Sequence, residues 1–248
     1  MTQIIDGWLA PNIPPTSRAG TFKLTMGPGD LVIPVVFPDY RVRLPFQTGA
    51  RDPVRVGIGH AGVVLIEGSR GIAAYYEWGR YDTGRDFGRV RERHVSPTSL
   101  TPICRVRVSH LKRILSMLCG VAGDRTRVEA VIVPCPPGGR DRGRHYAESV
   151  QRTFARGSEP PGVACAAPGI CIQSPFVAPH ERIYALTDNN CLSFAVEVAE
   201  RASGLRLAHE GRTRGPDIPA GWADGVRWTH GLTRIDYHPG DADITVDP

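Results

Sequence analysis

The sequence lacks three features that would assign a protein to a class at once. No run of apolar residues approaches the ~18 needed to span a bilayer, and residues 1–20 lack the charged start and apolar middle of a signal peptide. The six cysteines form no C-x-x-C pair, so no metal or cofactor site is predicted. We therefore expect a protein that is made in the cytoplasm and has no membrane span.

Lysine is almost absent, and arginine carries most of the positive charge. The 30 basic residues exceed the 25 acidic ones, a formal net charge of +5, yet the only lysines are Lys23 and Lys112. That skew is typical of a GC-rich genome and does not by itself indicate a binding surface. The arginine-rich segments 89–93 and 138–144 leave open an inactive binding module that contacts nucleic acid. No RNA- or DNA-binding fingerprint accompanies them, so no nucleic-acid partner is predicted.

The composition indicates a single α+β domain. Hydrophobic residues make up 41% of the chain and charged residues 22%, while 28 glycines and 22 prolines indicate many turns. The 248 residues contain no internal repeat and no sharp shift in composition. Three segments flank the predicted core: an irregular N-terminal arm at 1–20, a long loop at 156–181 that is expected to border a substrate cleft, and a C-terminal extension at 205–248 that should form short strands or a covering flap.

Hydrophobic periodicity predicts a sheet built around one hairpin. Val54–Ile66 and Ile72–Trp78 are apolar, β-rich and separated by turn residues, so they should pair as central strands. Pro34 is expected to confine the strand at 31–37 to an edge, and the alternating segment 89–93 to form an edge strand. Further strands are predicted at 21–26, 103–108, 183–186 and 128–133, the last closed by Pro134, Pro136 and Pro137.

Three helices are predicted, and the third has the clearest pattern. The first covers 109–121 with Ser109 as its cap, and the second is short, 146–154, after a loop at 138–144. In the third, apolar or small residues recur at spacings of three and four, at positions 191, 194, 195, 198, 199 and 202. Capping residues at 188–190 and Gly204 predict that this helix runs from about 190 to 203.

Cys191 lies at the start of that third helix. A thiol in the first helical turn lies at the positive end of the aligned peptide dipoles, which favours the thiolate. The alternative is a cysteine that merely packs in the core. Elsewhere, Cys165 and Cys171 bracket a short loop and would form a local disulfide in an oxidising compartment.

His60 is the candidate base for this thiol. It lies within an apolar strand that has glycines at 57, 59 and 62, and glycine in a strand indicates close approach of another group. A hydrogen-bonded core histidine is the alternative. A four-residue loop at 67–70 would place residue 60 opposite Glu77, which could orient the imidazole. A register change of one residue would substitute Tyr76 or Trp78, and Asp82 is the reserve candidate.

These residues resemble a known superfamily. Gly59-His-Ala-Gly-Val63 on a strand, followed over a hundred residues later by Asn190-Cys-Leu-Ser-Phe194 opening a helix, resembles the permuted branch of the papain-like NlpC/P60 superfamily. In that branch the histidine strand precedes the cysteine helix, as here. The segment Tyr75-Tyr-Glu-Trp-Gly-Arg-Tyr81 also resembles bacterial type VI secretion effectors with this fold. The resemblance covers mainly 54–82 and 183–204.

The resemblance implies a fold and a set of site residues. The fold would be papain-like, with a central antiparallel sheet packed against the nucleophile helix. Cys191 would be the nucleophile, His60 the general base and Glu77 the group that orients it. The backbone N–H of Cys191 is the expected first oxyanion donor, and Asn189 or Asn190 could supply the second.

The resemblance also implies a function. It is that of a cysteine amidase or endopeptidase that cleaves peptidoglycan as an antibacterial effector. Secretion machinery would deliver it to the periplasm of a target cell, and a cognate immunity protein would neutralise it. Two enzymatic alternatives remain on the same fold: an acyltransferase or lipase, and a protease or deamidase that acts on a host protein.

Overall fold

The computed structural model describes residues 2–3, 8–9, 29–43, 55–68, 70–79, 89–95, 98, 106–155, 163–167, 170–173, 190–207, 219, 222–223 and 231–247. The strands predicted at 21–26 and 183–186 lie outside these residues, as do most of the N-terminal arm, Asp82 and Asn189.

The described elements are strands of two to eight residues and three helices. In chain order they are β1 (Thr2–Gln3), β2 (Trp8–Leu9), β3 (Asp30–Phe37), β4 (Arg41–Arg43), β5 (Arg55–Gly57), β6 (His60–Ile66), β7 (Ala73–Gly79), β8 (Arg89–His94), β9 (Val106–Arg107), α1 (Val108–Val121), β10 (Val128–Cys135), α2 (Gly139–Ala155), β11 (Val163–Ala167), β12 (Ile170–Gln173), α3 (Cys191–Ser203), β13 (Thr233–Tyr237) and β14 (Thr245–Asp247).

An antiparallel sheet of eight strands organises the fold. Its order is β1-β14-β13-β10-β3-β6-β7-β8, and the small pairs β2-β9, β4-β5 and β11-β12 are separate from it. The hairpin β6-β7 is present as predicted, and β8 forms one edge of the sheet, as the alternation at 89–93 indicated. The α+β class is therefore confirmed.

Both faces of the sheet are covered, because successive side chains of a strand point to opposite sides. On β6, Val64 and Ile66 pack in one apolar cluster with α1, whereas Val63 and Leu65 pack in a second cluster with α3. All seven residues of β6 are buried. A strand covered on both faces reads as a continuous apolar run, which is why the sequence pattern identified it as central.

Two predictions based on proline were wrong. β3 contains Pro34 but lies in the middle of the sheet, between β10 and β6. Its pairing with β10 runs through Val35 and resumes at Val32, so the interruption falls where proline has no N–H to donate. Pro134 does not close β10: it pairs with Leu31 on β3, beyond the point at which β13 stops pairing at Ile132. On one side of each proline, the pairing with the neighbouring strand is interrupted or has ended. The missing N–H of proline therefore leaves no hydrogen bond of the sheet unmade.

The segment 138–144 was predicted as a loop, but its residues 139–144 are the first six residues of the helix α2. Its glycines permit the close packing of α2 on α3. A Cβ added at Gly139 would lie 2.5 Å from the backbone oxygen of Ala202 and 2.6 Å from Cβ of Cys135. Glycine is a poor helix former in isolation, so tertiary packing overrides the local preference here.

Further boundaries differ from prediction. The segment 156–181, predicted as a long loop, contains β11 and β12, and Val108, predicted as the end of a strand, begins α1. Helix α1 begins at Val108 with Arg107 as the capping residue and without a side-chain cap, so the Ser109 cap was wrong. The strand predicted over 54–66 is divided into β5 and β6, because Gly59 has a φ of 80° and breaks the extended backbone between them. As a result, β6 begins at His60.

Candidate active site

The start of α3 is defined by a complete capping box. The side-chain oxygen of Asn190 accepts hydrogen bonds from the backbone N–H groups of Leu192 at 2.9 Å and Ser193 at 3.1 Å. In return, Ser193 Oγ accepts from the backbone N–H of Asn190 at 2.9 Å. Gly204 ends the helix with a φ of 77°. The predicted bounds of this helix are confirmed, and Cys191 is its first residue.

His60 lies at the first position of β6, against two aromatic rings. The Phe37 ring is stacked at 6.2 Å between centroids, and the Tyr40 ring is tilted at 5.2 Å. The preceding Gly59 is itself enclosed, because an added Cβ would lie 2.9 Å from Cβ of Pro219. Glycine is required at this position both by this contact and by the positive φ. The imidazole is therefore fixed in place by its neighbours.

Glu77 is the carboxylate that contacts His60. His60 Nε2 lies 3.0 Å from Glu77 Oε2, and both side chains are buried. The predicted strand register was wrong by two residues: Gly62, not His60, is opposite Glu77, because the connection spans six residues between Ile66 and Ala73. A shift of two residues keeps a side chain on the same face, so Glu77 still reaches His60 along the diagonal.

The structure also brings Cys191 to the same imidazole. Cys191 and His60 are joined by a hydrogen bond, and Cys191 is itself buried. Because Glu77 engages Nε2, this bond falls to Nδ1. Burial alone would lower the pKa of His60, but the hydrogen bonds and charges of Cys191 and Glu77 raise it to about 9. The imidazole thus favours its charged form, between two groups that can carry negative charge.

Glu77 is ionised although it is only 1% exposed. Burial tends to raise its pKa, but the hydrogen bond and charge of His60, together with Arg93 and Tyr75, lower it below the usual value. Arg93 Nε donates to Oε1 at 3.3 Å, and the Tyr75 hydroxyl donates to Oε2 at 3.1 Å. The sequence reasoning missed both residues, although Tyr75 lies two positions before Glu77 and so shares its face of β7.

The remaining predicted residues play other parts or lie outside the described chain. The side-chain oxygen of Asn190 is engaged in the helix cap, while Asn189 and the reserve candidate Asp82 are not among the described residues. Cys165 and Cys171 are paired across β11 and β12 by backbone register. Their disulfide stays a prediction.

The described residues contain neither a metal-binding cluster nor a membrane-spanning helix. Within those ranges, no three His, Cys, Asp or Glu side chains lie close enough together to hold a metal ion. None of the helices in the described part of the chain is long and apolar enough to cross a membrane.

A family model and a solved structure are similar to this chain. The model of the family described as "Type VI secretion system effector TseH-like" matches residues 32–204, more than half of the chain. A crystal structure of the type VI secretion system effector TseH is similar, with a TM-score of 0.63 and 24% identity over 90% of this chain and 100% of that one. At that identity the likeness concerns the fold alone. No curated protein matches the sequence.

Proposed function

Because the chain belongs to the TseH-like family of type VI secretion system effectors, we propose that it is a cysteine amidase or endopeptidase that cleaves peptidoglycan. The proposed fold is that of the permuted papain-like NlpC/P60 hydrolases, with Cys191 as nucleophile, His60 as base and Glu77 as its orienting group. One observation carries the proposal: these three side chains, none more than 6% exposed, form a continuous hydrogen-bonded series.

In the proposed resting state the proton of the Cys191 thiol has already passed to Nδ1 of His60, which gives a thiolate–imidazolium pair. The thiolate attacks the carbonyl carbon of an amide, and a tetrahedral oxyanion forms. The imidazolium then gives its proton to the leaving nitrogen, the C–N bond breaks, and a thioester remains on Cys191. Water, deprotonated by His60, attacks the thioester and releases a carboxylic acid and the thiol.

Glu77 supports this sequence without exchanging a proton itself. As an ionised carboxylate it only accepts hydrogen bonds, so His60 must present Nε2–H to it and keep Nδ1 for the thiol. Its negative charge also stabilises the imidazolium that forms. The proposed oxyanion donor is the backbone N–H of Cys191, at the positive end of α3.

The proposed setting is an attack on a competing bacterium. A type VI effector is carried by a secretion machine, and the peptidoglycan of the target cell is reached from its periplasm. We propose a cognate immunity protein as the partner that protects the producing cell. No nucleic acid and no cofactor enter this proposal.

Directed expression in a bacterium tests the proposal. With an added periplasmic signal the protein should cause lysis, whereas cytosolic expression should be harmless. The Cys191→Ala variant with the same signal should be inert, and purified peptidoglycan should acquire new amine termini only with the unchanged protein. Toxicity confined to the cytosol, with an intact cell wall, would contradict the amidase proposal and favour a host-protein target. Transfer of an acyl group to a second acceptor would favour an acyltransferase.

A further inference from the structure

The buried Glu77 carboxylate is held by three donors from three different side chains. Oε2 lies 3.0 Å from His60 Nε2 and accepts from the Tyr75 hydroxyl at 3.1 Å, while Oε1 accepts from Arg93 Nε at 3.3 Å. Both oxygens are therefore engaged, and rotation of the carboxylate would break at least one of these bonds. Arg93 belongs to the edge strand β8 and Tyr75 to β7, so side chains from two strands hold the Glu77 carboxylate.

Gly62 makes room for this arrangement. It is the residue of β6 directly opposite Glu77. A Cβ added at Gly62 would lie 2.3 Å from the Tyr75 hydroxyl oxygen and within 2.5 Å of two carbons of its ring. The Tyr75 ring thus packs against the backbone of Gly62, in the space that a side chain at position 62 would fill. In this position the Tyr75 hydroxyl reaches Glu77. Any larger side chain at position 62 would displace the ring.

We infer that Tyr75 and Arg93 are positioning residues that act on His60 through Glu77, and that Gly62 is the residue that admits Tyr75. This inference rests on the proposed function, because it names the residues that hold the orienting carboxylate. Tyr75 and Arg93 do not touch the thiol. Their contribution is to keep Glu77 ionised and pointed at Nε2, so that Nδ1 faces Cys191.

Other charged or titratable groups surround the same pair. Tyr40 lies against the His60 ring, and its pKa is raised by burial and by the charges of Asp124, Glu77 and Cys191, whereas Arg91 acts in the opposite direction. Because so many groups are coupled, the pH dependence of a single variant would not isolate Tyr75. A double-variant cycle of Tyr75→Phe with Glu77→Gln isolates the role of Tyr75, because it cancels every contribution that does not pass through the Glu77 carboxylate.

The test measures the rate at which iodoacetamide alkylates Cys191 at neutral pH, followed by mass spectrometry of the Cys191 peptide. This readout needs no substrate. Tyr75→Phe removes one hydroxyl and should slow alkylation about three- to tenfold, the range expected for the loss of one ordinary side-chain hydrogen bond. Arg93→Gln should act in the same direction. In a Glu77→Gln background, Tyr75→Phe should have no further effect.

The matched control is Tyr76→Phe, which removes a neighbouring hydroxyl from the opposite face of β7. It should leave the rate unchanged. Equal slowing by Tyr75→Phe in the wild-type and Glu77→Gln backgrounds would overturn the inference, because Tyr75 would then act independently of Glu77. So would an unchanged rate in both Tyr75→Phe and Arg93→Gln.

A His60→Ala variant separates failure of this inference from failure of the proposed function. If His60→Ala leaves Cys191 alkylation unchanged, the Cys191–His60 pair is not functional and both proposals are overturned. If His60→Ala slows alkylation and Tyr75→Phe does not, only the positioning inference is lost.

Two glycine variants test the role of Gly62. Gly62→Ala should slow alkylation about as much as Tyr75→Phe and should add nothing once Tyr75→Phe is present. Gly57→Ala is the control, because an added Cβ there meets no atom within 4 Å. Should Gly62→Ala fail to fold, Tyr75→Phe and Arg93→Gln still decide the question.

Discussion

At the scale of single residues, the three described free cysteines differ in environment more than in exposure. Cys119, Cys135 and Cys191 are all buried. Burial raises the pKa of Cys119 to about 11, since its apolar surroundings disfavour the thiolate. Cys191 instead contacts His60 at the positive end of a helix. The same side chain is thus an apolar filler in one place and a candidate nucleophile in another.

We predict that iodoacetamide labels Cys191 well before Cys119 at neutral pH, because alkylation requires the thiolate. Mass-spectrometric mapping of labelled peptides over time measures the order. His60→Ala should reduce the difference between the two thiols, because it removes one of its causes. If Cys191 labels no faster than Cys119 in the wild-type protein, its assignment as nucleophile is wrong.

A pH dependence follows from His60. Its pKa in the folded protein is raised to about 9, so the imidazolium is present at neutral pH and is lost as the pH rises through that value. Expulsion of the amine needs that proton. We predict that amide hydrolysis declines above about pH 9, measured as amine termini released from peptidoglycan.

The control for this pH profile is Glu77→Gln, which removes a charge that stabilises the imidazolium. The alkaline limb of the profile should then move to lower pH, because Glu77 is one of the groups that raise the His60 pKa. An alkaline limb at the same pH in Glu77→Gln would show that the carboxylate does not act on His60.

At the scale of elements, α2 depends on close packing against α3. Arg142 donates to the backbone oxygen of Ala202 at 3.0 Å, so it satisfies a carbonyl in the last turn of α3. Gly139 and Gly143 bring the two backbones together at that end, and an added Cβ at Gly143 would lie 3.1 Å from Cβ of Ala202. Because α3 carries Cys191, this contact supports the site from the opposite end of the helix.

We predict opposite effects for two helical Gly→Ala changes. Gly139→Ala would bring a Cβ against the backbone oxygen of Ala202 and Cβ of Cys135, neither of which can swing away, and should destabilise the protein by about 1–3 kcal/mol. Gly120→Ala in α1 meets no atom within 4 Å and should stabilise it by about 0.5–1 kcal/mol. Urea unfolding measures both free energies. A loss of stability in Gly120→Ala, or none in Gly139→Ala, would contradict this account.

At the scale of the whole molecule, the site forms where a helix start meets a strand start. Helix α3 packs over β3, β6 and β7, and its first residue reaches the first residue of β6. Because side chains alternate between the two faces along a strand, His60 and Glu77 lie on the face of the sheet that α1 covers. Cys191 lies on the other face, which α3 covers. A contact between the two faces is possible only at the end of a strand, where no further residues intervene.

The sequence by itself determined the elements whose pattern is local. The bounds of α3 follow from its capping residues, its apolar stripe and Gly204, and the β6-β7 hairpin follows from two apolar runs around a turn. Cys191, His60 and Glu77 were chosen on the same grounds, and the two-residue error in register left Glu77 on the correct face. Their catalytic roles stay predictions that the experiments above test.

The tertiary structure decided whatever depends on neighbours distant in the chain. Pro34 lies in a central strand because the ladder beside it is interrupted, and α2 begins among glycines because Ala202 approaches them. Arg93 reaches Glu77 from a neighbouring strand, and the Tyr75 ring packs against Gly62 so that its hydroxyl reaches the same carboxylate. Propensity and periodicity describe one segment at a time, whereas these contacts join segments that only the folded sheet brings within hydrogen-bonding distance.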